Sequence, residues 1–363
     1  MKWPSLSIII PSYNQGDYIE RTILSILKQE YEGRLEVIVS DGGSNDGTVD
    51  ILKRYPQIVW WSEPDKGYTD AVMKAAAIAN GEILAIQSSD DFYLRDAFKI
   101  SIQELMNCRS LGIIAGCDIQ VEPDRKTFTL TELDSHFITP HSLLGRRVIP
   151  QHTAFFRKDI VFEINGFREE VDTCADIDFW YRALHHFKAK FIPVYTAAYQ
   201  FHSNQRTRVL ENWYSSIRRM VELCESDPFY SSKFRFSEED KMDVLIRWEM
   251  FCVIEWGAGR EDRQQVLERV HNILCSSDYR IEAKKFIYGL AASKGLIDDY
   301  FWGEHGLARR LGFVERLKTS VSEGTLLEKA EKKLDRTITS LIKRIHSKNE
   351  NDYKNFIDID WWK

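Results

Sequence analysis

Short apolar runs alternate with helical patterns over the first third of the chain. Runs rich in Ile, Val and Leu cover residues 6–10, 35–39, 83–86 and 113–115, and segments with helical spacing lie between them. This alternation is typical of βαβ units, in which a mainly parallel sheet lies between helices on both faces. The pattern therefore predicts an α/β fold for this part of the chain.

Small and polar residues follow four of the predicted strands. They occupy residues 11–14, 40–47, 63–67 and 88–91. The carboxyl ends of parallel strands meet at one edge of a sheet, and ligands bind at that edge. We therefore expect these four segments to converge on one rim that carries the chemistry.

The pattern changes beyond about residue 205, where long stretches with helical spacing contain few Gly or Pro. We predict an α/β domain at residues 1–208 and an all-helical region at residues 209–363. The last helix, at about residues 325–347, carries apolar residues opposite a row of Lys and Arg. We interpret it as a helix that packs on its own protein, and peripheral contact with a membrane surface is the alternative.

Composition and charge exclude several classes of protein. Of the 363 residues, 44% are hydrophobic, which is enough for a large core and excludes intrinsic disorder. The net charge of −6 gives no reason to expect binding to nucleic acid. The apolar runs are too short to span a membrane, and no signal-sequence pattern opens the chain. We expect a cytoplasmic protein, and a peripheral position at the inner face of the membrane is a further option.

Two adjacent carboxylates, Asp90 and Asp91, follow an apolar strand. Like charges this close repel each other unless a cation lies between or beside them. Mg²⁺ typically takes one or two protein carboxylates together with substrate phosphates, so the pair points to a metal–diphosphate ligand. The alternative is structural, because acidic side chains also cap the first turn of a helix.

The turn at residues 41–47 also has two interpretations. Its glycines permit a tight turn and the close approach of a ligand, and Asp41 can accept hydrogen bonds from a base or a ribose. In the structural alternative, Asn45 and Asp46 cap a helix that starts near Thr48. The glycine and lysine spacings match neither the dinucleotide fingerprint nor the P-loop, so both of those nucleotide folds are disfavoured.

Four segments, in this order, resemble family 2 glycosyltransferases. They are residues 8–14 (IIIPSYN), 40–48 (SDGGSNDGT), 62–67 (SEPDKG) and 89–93 (SDDFY). The resemblance continues through residues 151–153, 165–167 and 175–180 to about His202. It implies the GT-A fold, a Rossmann-like sheet that binds a nucleotide sugar. It also implies an inverting transfer of one sugar from a nucleoside diphosphate to an acceptor hydroxyl.

The resemblance implies a set of donor-binding residues at the ends of the strands. The set consists of Pro11, Tyr13, Asp41, Asp65, Ser89 and Asp90. In this set Asp41 would contact the base and Asp65 would lie near the donor. The family's D-x-D metal motif reads Ser88-Ser89-Asp90 here, so its first acid is absent. A divalent Mn²⁺ or Mg²⁺ would therefore be held by Asp90, with Asp91 and His202 as further ligands.

The resemblance also implies a catalytic base. The family's E-D pair before a helix falls on Ala175 and Asp176, so its first acid is missing and Asp176 is the favoured base. An inverting displacement needs a carboxylate that takes the proton of the acceptor hydroxyl. A helix N-cap is the structural alternative for Asp176.

Four further residues are candidates for acceptor or secondary contacts. They are Gln151, His152, Asp178 and Trp180. Two of them have a structural alternative, because Asp178 can cap a helix and Trp180 can pack in the core.

Together these observations predict a hexosyl-type glycosyltransferase that depends on a divalent metal. We expect a nucleoside diphosphate sugar as donor, a UDP-sugar by preference, and a glycan or lipid-linked acceptor in surface polysaccharide synthesis. A sugar nucleotidyltransferase is one alternative, but residues 11–16 lack the basic residues of its phosphate loop. A non-catalytic nucleotide- or glycan-binding module is the other, because Ser88 and Ala175 replace two acids.

Overall fold

A computed structural model describes most of the first 233 residues. The described residues are 2–121, 128–130, 136–138, 140, 149–171, 173–202, 205 and 210–233, with scattered helical positions between 242 and 273. Described residues up to Tyr230 belong to one compact unit, and a second unit begins at Ser231. The predicted helix at 325–347 lies outside the described residues, and the division at residue 208 stays a prediction.

The described part of the chain contains ten strands that form one sheet. They are β1 (Leu6–Ser12), β2 (Leu35–Asp41), β3 (Val59–Ser62), β4 (Ile83–Ile86), β5 (Phe92–Tyr93), β6 (Leu111–Val121), β7 (Phe128–Leu130), β8 (His136–Ile138), β9 (Ala154–Arg157) and β10 (Lys188–Gln200). The α/β fold predicted from the alternating pattern is confirmed.

Helices lie between these strands, and two further helices follow β10. They are α1 (Ile19–Leu27), α2 (Thr48–Leu52), α3 (Tyr68–Ile78), α4 (Ala97–Asn107), α5 (Asp159–Glu163), α6 (Ala175–Ala183), α7 (Leu210–Ser226) and α8 (Pro228–Lys233). A short 3-10 helix covers Gln151–Thr153 and leads directly into β9. The sequence pattern predicts a strand at residues 151–156. The structure instead has a 3-10 helix in the first half of this segment and a strand in the second half.

The sheet is mixed but mostly parallel. Its order is β3-β2-β1-β4-β9-β6-β10-β5, with β7 paired to β6 and β8 paired to β10. The strands β1, β2, β3, β4, β6 and β10 point in one direction, and β9 and β5 run against them. The carboxyl ends of six strands therefore lie along one edge, together with the amino end of β9.

The core explains why the first strand is an unbroken apolar run. Ile8, Ile9 and Ile10 are all buried, although successive side chains of a strand point to opposite faces. Strands covered on both faces read as continuous hydrophobic runs rather than as alternating patterns. The apolar faces of α1 and α4 pack into the same core through Ile23 and Phe98.

The connection between β4 and β5 is short but crosses the sheet. Strand β4 lies next to β1 near the centre, whereas β5 pairs with β10 at the far end. Residues 87–91 therefore pass over the ends of β6 and β10. This path carries Asp90 and Asp91 away from β1 and towards the residues that follow β10.

Among the described residues, we find no helix that has both the length and the apolar composition needed to cross a membrane.

Candidate active site

Asp41 lies at the end of β2 and is almost completely buried. One of its oxygens, Oδ2, accepts hydrogen bonds from the Ser44 amide (2.9 Å) and the Ser62 hydroxyl (2.6 Å). The Ser44 hydroxyl donates to the other oxygen, Oδ1, at 2.5 Å. A carboxylate offers about four acceptor positions, and these contacts use three of them. Asp41 therefore links the turn that follows β2 to the end of β3 through Ser44 and Ser62.

The turn after Asp41 is fixed to the end of β1 by a second aspartate. Asp46 accepts hydrogen bonds from the Gly16 amide (2.9 Å) and the Thr48 amide (3.1 Å). The expected capping role of Asp46 is thus observed, whereas Asn45 gives its backbone amide to the Asn14 side chain (3.0 Å). Above this turn Tyr13 leaves 60% of its surface exposed, so its ring is accessible to a planar ligand.

Asp65 packs directly against the backbone of the Asp41 turn. Its Oδ1 accepts a hydrogen bond from the Gly67 amide at 2.8 Å. A Cβ atom at Gly42 would lie 2.9 Å from Asp65 Oδ2, which is closer than real Cβ contacts. Glycine at position 42 is therefore required for this approach, and the structure brings Asp41 and Asp65 together as the sequence predicts.

Asp90 and His202 form a close pair. His202 Nε2 and Asp90 Oδ2 are 2.8 Å apart, and the Tyr18 ring stacks on the His202 ring with 4.4 Å between centroids. His202 is buried, while Asp90 retains partial exposure. Residues 89–91 are held against α1, because the Thr22 hydroxyl donates to the carbonyl oxygens of Ser89 (2.9 Å) and Asp91 (2.6 Å).

The side chain of Asp91 is buried, and protein groups contact both of its oxygen atoms. Its Oδ1 accepts a hydrogen bond from the Gln200 amide (2.9 Å), and its Oδ2 lies 3.9 Å from His152 Nδ1. Burial raises the pKa of Asp91 well above its ordinary value, and the neighbouring Asp90 charge adds to the rise. Both oxygens thus face protein groups, so Asp91 does not present the open carboxylate expected of a replacement metal ligand.

His152 lies between two buried aspartates, one of which the sequence analysis missed. Asp118 is buried on β6, and its Oδ2 lies 3.3 Å from His152 Nε2. Burial alone would lower the pKa of His152, but Asp118, Asp91 and Asp176 outweigh it, so the net direction is upward. A single aspartate within the apolar strand β6 is the signal that could have identified Asp118.

Asp176 lies in the first turn of α6 and is half-buried. Burial raises its pKa from 3.8 to about 6, although the Ile177 amide and the charge of His152 oppose the shift. The N-cap position of α6 belongs to Cys174, which makes no capping hydrogen bond through its side chain. A carboxylate that titrates near 6 is suited to accept a proton at neutral pH.

The predicted contacts of Asp178 and Trp180 with an acceptor are wrong. Both side chains are completely buried, because α6 packs its inner face into the core. Asp178 forms ion pairs with Arg182 (2.8 Å) and Arg168 (3.4 Å), and Trp180 packs against Phe156. Trp180 packs in the core, as its structural alternative states, whereas Asp178 forms buried ion pairs and not the helix cap that was its alternative.

Arg182 is the centre of this buried network. It also donates hydrogen bonds to the carbonyl oxygens of Ile164 and Gly166, each at 2.6 Å. We expect Arg182→Met to lower the free energy of unfolding by about 3–5 kcal/mol, because two buried carbonyls lose their donor and Asp178 keeps only the longer contact with Arg168. Urea denaturation measures this loss.

The control is Arg219→Met, which removes an exposed pair with Glu222 on α7. It is expected to cost less than about 1 kcal/mol. Equal effects of the two substitutions would contradict the role of Arg182.

Gln151 links the 3-10 helix to the start of α3. Its side-chain oxygen accepts a hydrogen bond from the Tyr68 hydroxyl, at the start of α3 and three residues after Asp65. Because His152 follows Gln151, the 3-10 helix joins the Asp65 loop to the His152 cluster. The roles of Gln151 and His152 as acceptor or secondary contacts stay predictions.

The Asp90–His202 pair fits part of a divalent metal site. Among the described residues, no group of three or more His, Cys, Asp and Glu side chains surrounds one metal position. One carboxylate oxygen and one imidazole nitrogen nevertheless suit Mn²⁺ or Mg²⁺, which complete their coordination with phosphate oxygens and water. The donor set is therefore compatible with a metal that arrives with a diphosphate.

Comparison with known proteins identifies the family. The sequence model named Glycosyl transferase family 2 matches residues 7–163. The chain is 33% identical over 185 residues to an uncharacterized glycosyltransferase of Mycobacterium tuberculosis, covering 50% of this chain and 69% of that protein. This chain belongs to glycosyl transferase family 2, and it is a glycosyltransferase.

Other similarities extend to a polysaccharide synthase and to solved structures. The chain is 27% identical over 179 residues to the chondroitin synthase of Pasteurella multocida, covering 48% of this chain and 18% of that protein. The structure of Staphylococcus aureus TarS residues 1–349 with UDP-GlcNAc matches with a TM-score of 0.55 and 16% identity, over 85% of this chain and 92% of that one.

A mannosyltransferase from Pyrobaculum calidifontis, in complex with GDP-Man and Mn²⁺, matches with a TM-score of 0.52 and 16% identity, over 82% and 89% of the two chains. At these identities the two structural matches establish the fold alone. They confirm the GT-A fold that the sequence motifs imply.

Proposed function

We propose that the protein transfers one sugar from a nucleoside diphosphate sugar to an acceptor hydroxyl, with inversion at the anomeric carbon. One observation carries the proposal: Asp90, which follows the carboxyl end of β4, pairs with His202, which follows the carboxyl end of β10. This pair suits the diphosphate of a donor. The raised pKa of Asp176 and the buried Asp41 further support a reaction in which the acceptor hydroxyl displaces a nucleoside diphosphate.

The donor nucleoside lies over the ends of β1 and β2 in this proposal. Pro11 and Tyr13 flank the base, and the exposed Tyr13 ring stacks on it. The last open acceptor position of Asp41 receives a hydrogen bond from the base. Asp65 and Ser89 complete the donor site, and UDP is the favoured nucleotide.

The diphosphate lies beside Asp90 and His202, which would hold Mn²⁺ or Mg²⁺. When bound, the cation supplies positive charge that stabilises the leaving diphosphate. The Asp90 carboxylate provides the hard oxygen ligand. His202 is kept in place by its stack with Tyr18, so its Nε2 stays next to Asp90 Oδ2.

Asp176 acts as the general base. Its carboxylate takes the proton from the acceptor hydroxyl while that oxygen attacks the anomeric carbon, and no covalent enzyme intermediate is needed. A pKa of about 6 keeps Asp176 ionised at neutral pH yet basic enough to accept this proton. Gln151 and His152 line the acceptor side of the rim.

The acceptor is a glycan or a lipid-linked glycan of a surface polysaccharide. Similarity to a chondroitin synthase supports a polysaccharide product, although the two chains share only part of their lengths. For the cellular location we propose the cytoplasm, with peripheral contact at the inner face of the membrane.

Calorimetry of UDP, GDP, CDP and dTDP, with and without Mn²⁺ or Mg²⁺, tests the donor site. We expect one nucleotide, UDP by preference, to bind more tightly when the metal is present. Turnover of the matching nucleotide sugars with oligosaccharide acceptors then identifies the sugar. If the folded protein binds none of the four nucleotides, the proposed donor site is wrong.

A further inference from the structure

We propose that Asp118 is a positioning residue, which fixes the orientation of the His152 ring, whose charge acts on the general base Asp176. The inference rests on the proposed function. It assigns a role to a buried acid that no family motif quoted above contains.

Each nitrogen atom of the His152 ring faces a buried aspartate. Asp118 Oδ2 lies 3.3 Å from Nε2, and Asp91 Oδ2 lies 3.9 Å from Nδ1. The Tyr199 ring packs against the imidazole, with 5.5 Å between centroids. A carboxylate near each nitrogen and an aromatic ring on one flank favour one orientation of the ring, as in preorganised functional groups.

The backbone of His152 is fixed as well. The Gln87 side-chain amide, oriented to satisfy both neighbours, donates to the His152 carbonyl oxygen (3.1 Å) and accepts from the Phe92 amide (3.0 Å). The next residue, Thr153, donates its amide to the Pro150 carbonyl (3.0 Å). The strand that leads to Asp90 and the segment that carries His152 are therefore joined at a buried point.

Packing alone does not account for an acid at position 118. Asp118 is itself buried, and a buried position on a strand is ordinarily occupied by an apolar side chain. Burying two aspartates and a histidine costs free energy, even when they are paired. Clusters of this kind with shifted pKa values occur preferentially at functional sites.

His152 connects this cluster to Asp176. Burial raises the pKa of Asp176, and the charge of His152 opposes that rise. Asp118, Asp91 and Asp176 in turn favour the charged form of His152. Removing Asp118 would therefore loosen the ring whose charge stabilises the carboxylate of the base.

Steady-state kinetics of three variants test the role: Asp118→Asn, His152→Gln and the double variant. We expect each single variant to lower kcat about 10-fold to 100-fold, with donor KM changed less than about 3-fold. The double variant should be no slower than His152→Gln alone, because both substitutions remove one unit. Asp159→Asn, an exposed acid on α5, is the control for the loss of a carboxylate.

An NMR experiment separates this inference from the proposed function. The protein contains nine histidines, and His152→Gln assigns the ring signals of His152 in a sample labelled with [¹⁵N]histidine. In Asp118→Asn we expect these signals to shift and to show ring averaging. If the wild type transfers no sugar, the proposed function fails, and the ring signals still decide whether Asp118 fixes His152.

Two outcomes overturn the inference. One is an Asp118→Asn protein with wild-type kcat in an active enzyme, and the other is an unchanged set of His152 signals. If Asp118→Asn does not fold, the kcat of His152→Gln decides the question. An unchanged kcat in His152→Gln overturns the inference, because catalysis then does not need the His152 ring.

Discussion

Replacing Asp176 by asparagine is expected to slow sugar transfer by about 10³-fold while the protein remains folded. General acid–base catalysis contributes roughly 10²–10⁴-fold, and asparagine cannot accept the acceptor's proton. The nucleoside site is formed by other elements, so donor affinity should change little. Initial rates and nucleotide calorimetry on the same preparations measure both quantities. Asp159→Asn should retain the wild-type rate.

The raised pKa of Asp176 predicts two further measurable effects, one on the rate of transfer and one on stability. Only the carboxylate accepts a proton, so the wild-type rate should rise with pH through about 6 and level off above it. A raised pKa also means that ionisation destabilises the folded state, with the full cost present above pH 6. Asp176→Asn removes this cost and should raise the free energy of unfolding at pH 8 by about 1 kcal/mol, allowing for partial exposure.

A fully active Asp176→Asn protein would exclude Asp176 as the base. A lower stability of the variant at pH 8 would indicate that the carboxylate is mainly a structural cap. The pH–rate profile distinguishes these cases, because a structural cap gives the rate no dependence on its own titration.

Asp90→Asn is expected to abolish the part of nucleotide binding that depends on metal. Asp90 provides the open carboxylate of the Asp90–His202 pair, since Asp91 is enclosed by Gln200 and His152. The variant should bind the nucleoside diphosphate equally in Mn²⁺ and in EDTA, and transfer should fall by at least about 100-fold. Calorimetry in the two buffers measures the difference.

Two further variants serve as comparisons for Asp90→Asn. His202→Gln should weaken the metal dependence in the same direction, because it removes the other member of the pair. Asp50→Asn removes an exposed carboxylate on α2 that pairs with Lys53, and it should behave as the wild type. An Asp90→Asn protein that keeps the full effect of Mn²⁺ would show that the metal is held elsewhere.

The sequence contained the fold and the location of the site. Apolar runs separated by helical patterns specify a mostly parallel sheet, because strands buried on both faces and amphipathic helices satisfy one core. The segments that follow those strands are polar and rich in glycine, and they meet at one edge for purely topological reasons. Asp41 and Asp90 could therefore be selected from local sequence, whereas Asp65 and Asp176 are candidates only through the resemblance of their motifs to a known family.

Long-range packing assigned the individual side chains their roles. Asp90 and Asp91 are neighbours in sequence, yet one faces His202 and the other is enclosed by β10 and His152. Asp178 lies two residues after Asp176, but the turn of α6 directs it into the core against Arg182. A local motif does not specify which of two adjacent acids is buried.

Asp118 illustrates the same limit. It lies far from His152 in the chain, and it comes within 3.3 Å of the His152 ring because β6 and β9 are adjacent in the sheet. Residue types and their periodicity define the strands, the rim and the chemical class, since these depend on local burial and chain direction. Charge environment depends on contacts between distant segments, and such contacts exist only once the sheet has formed.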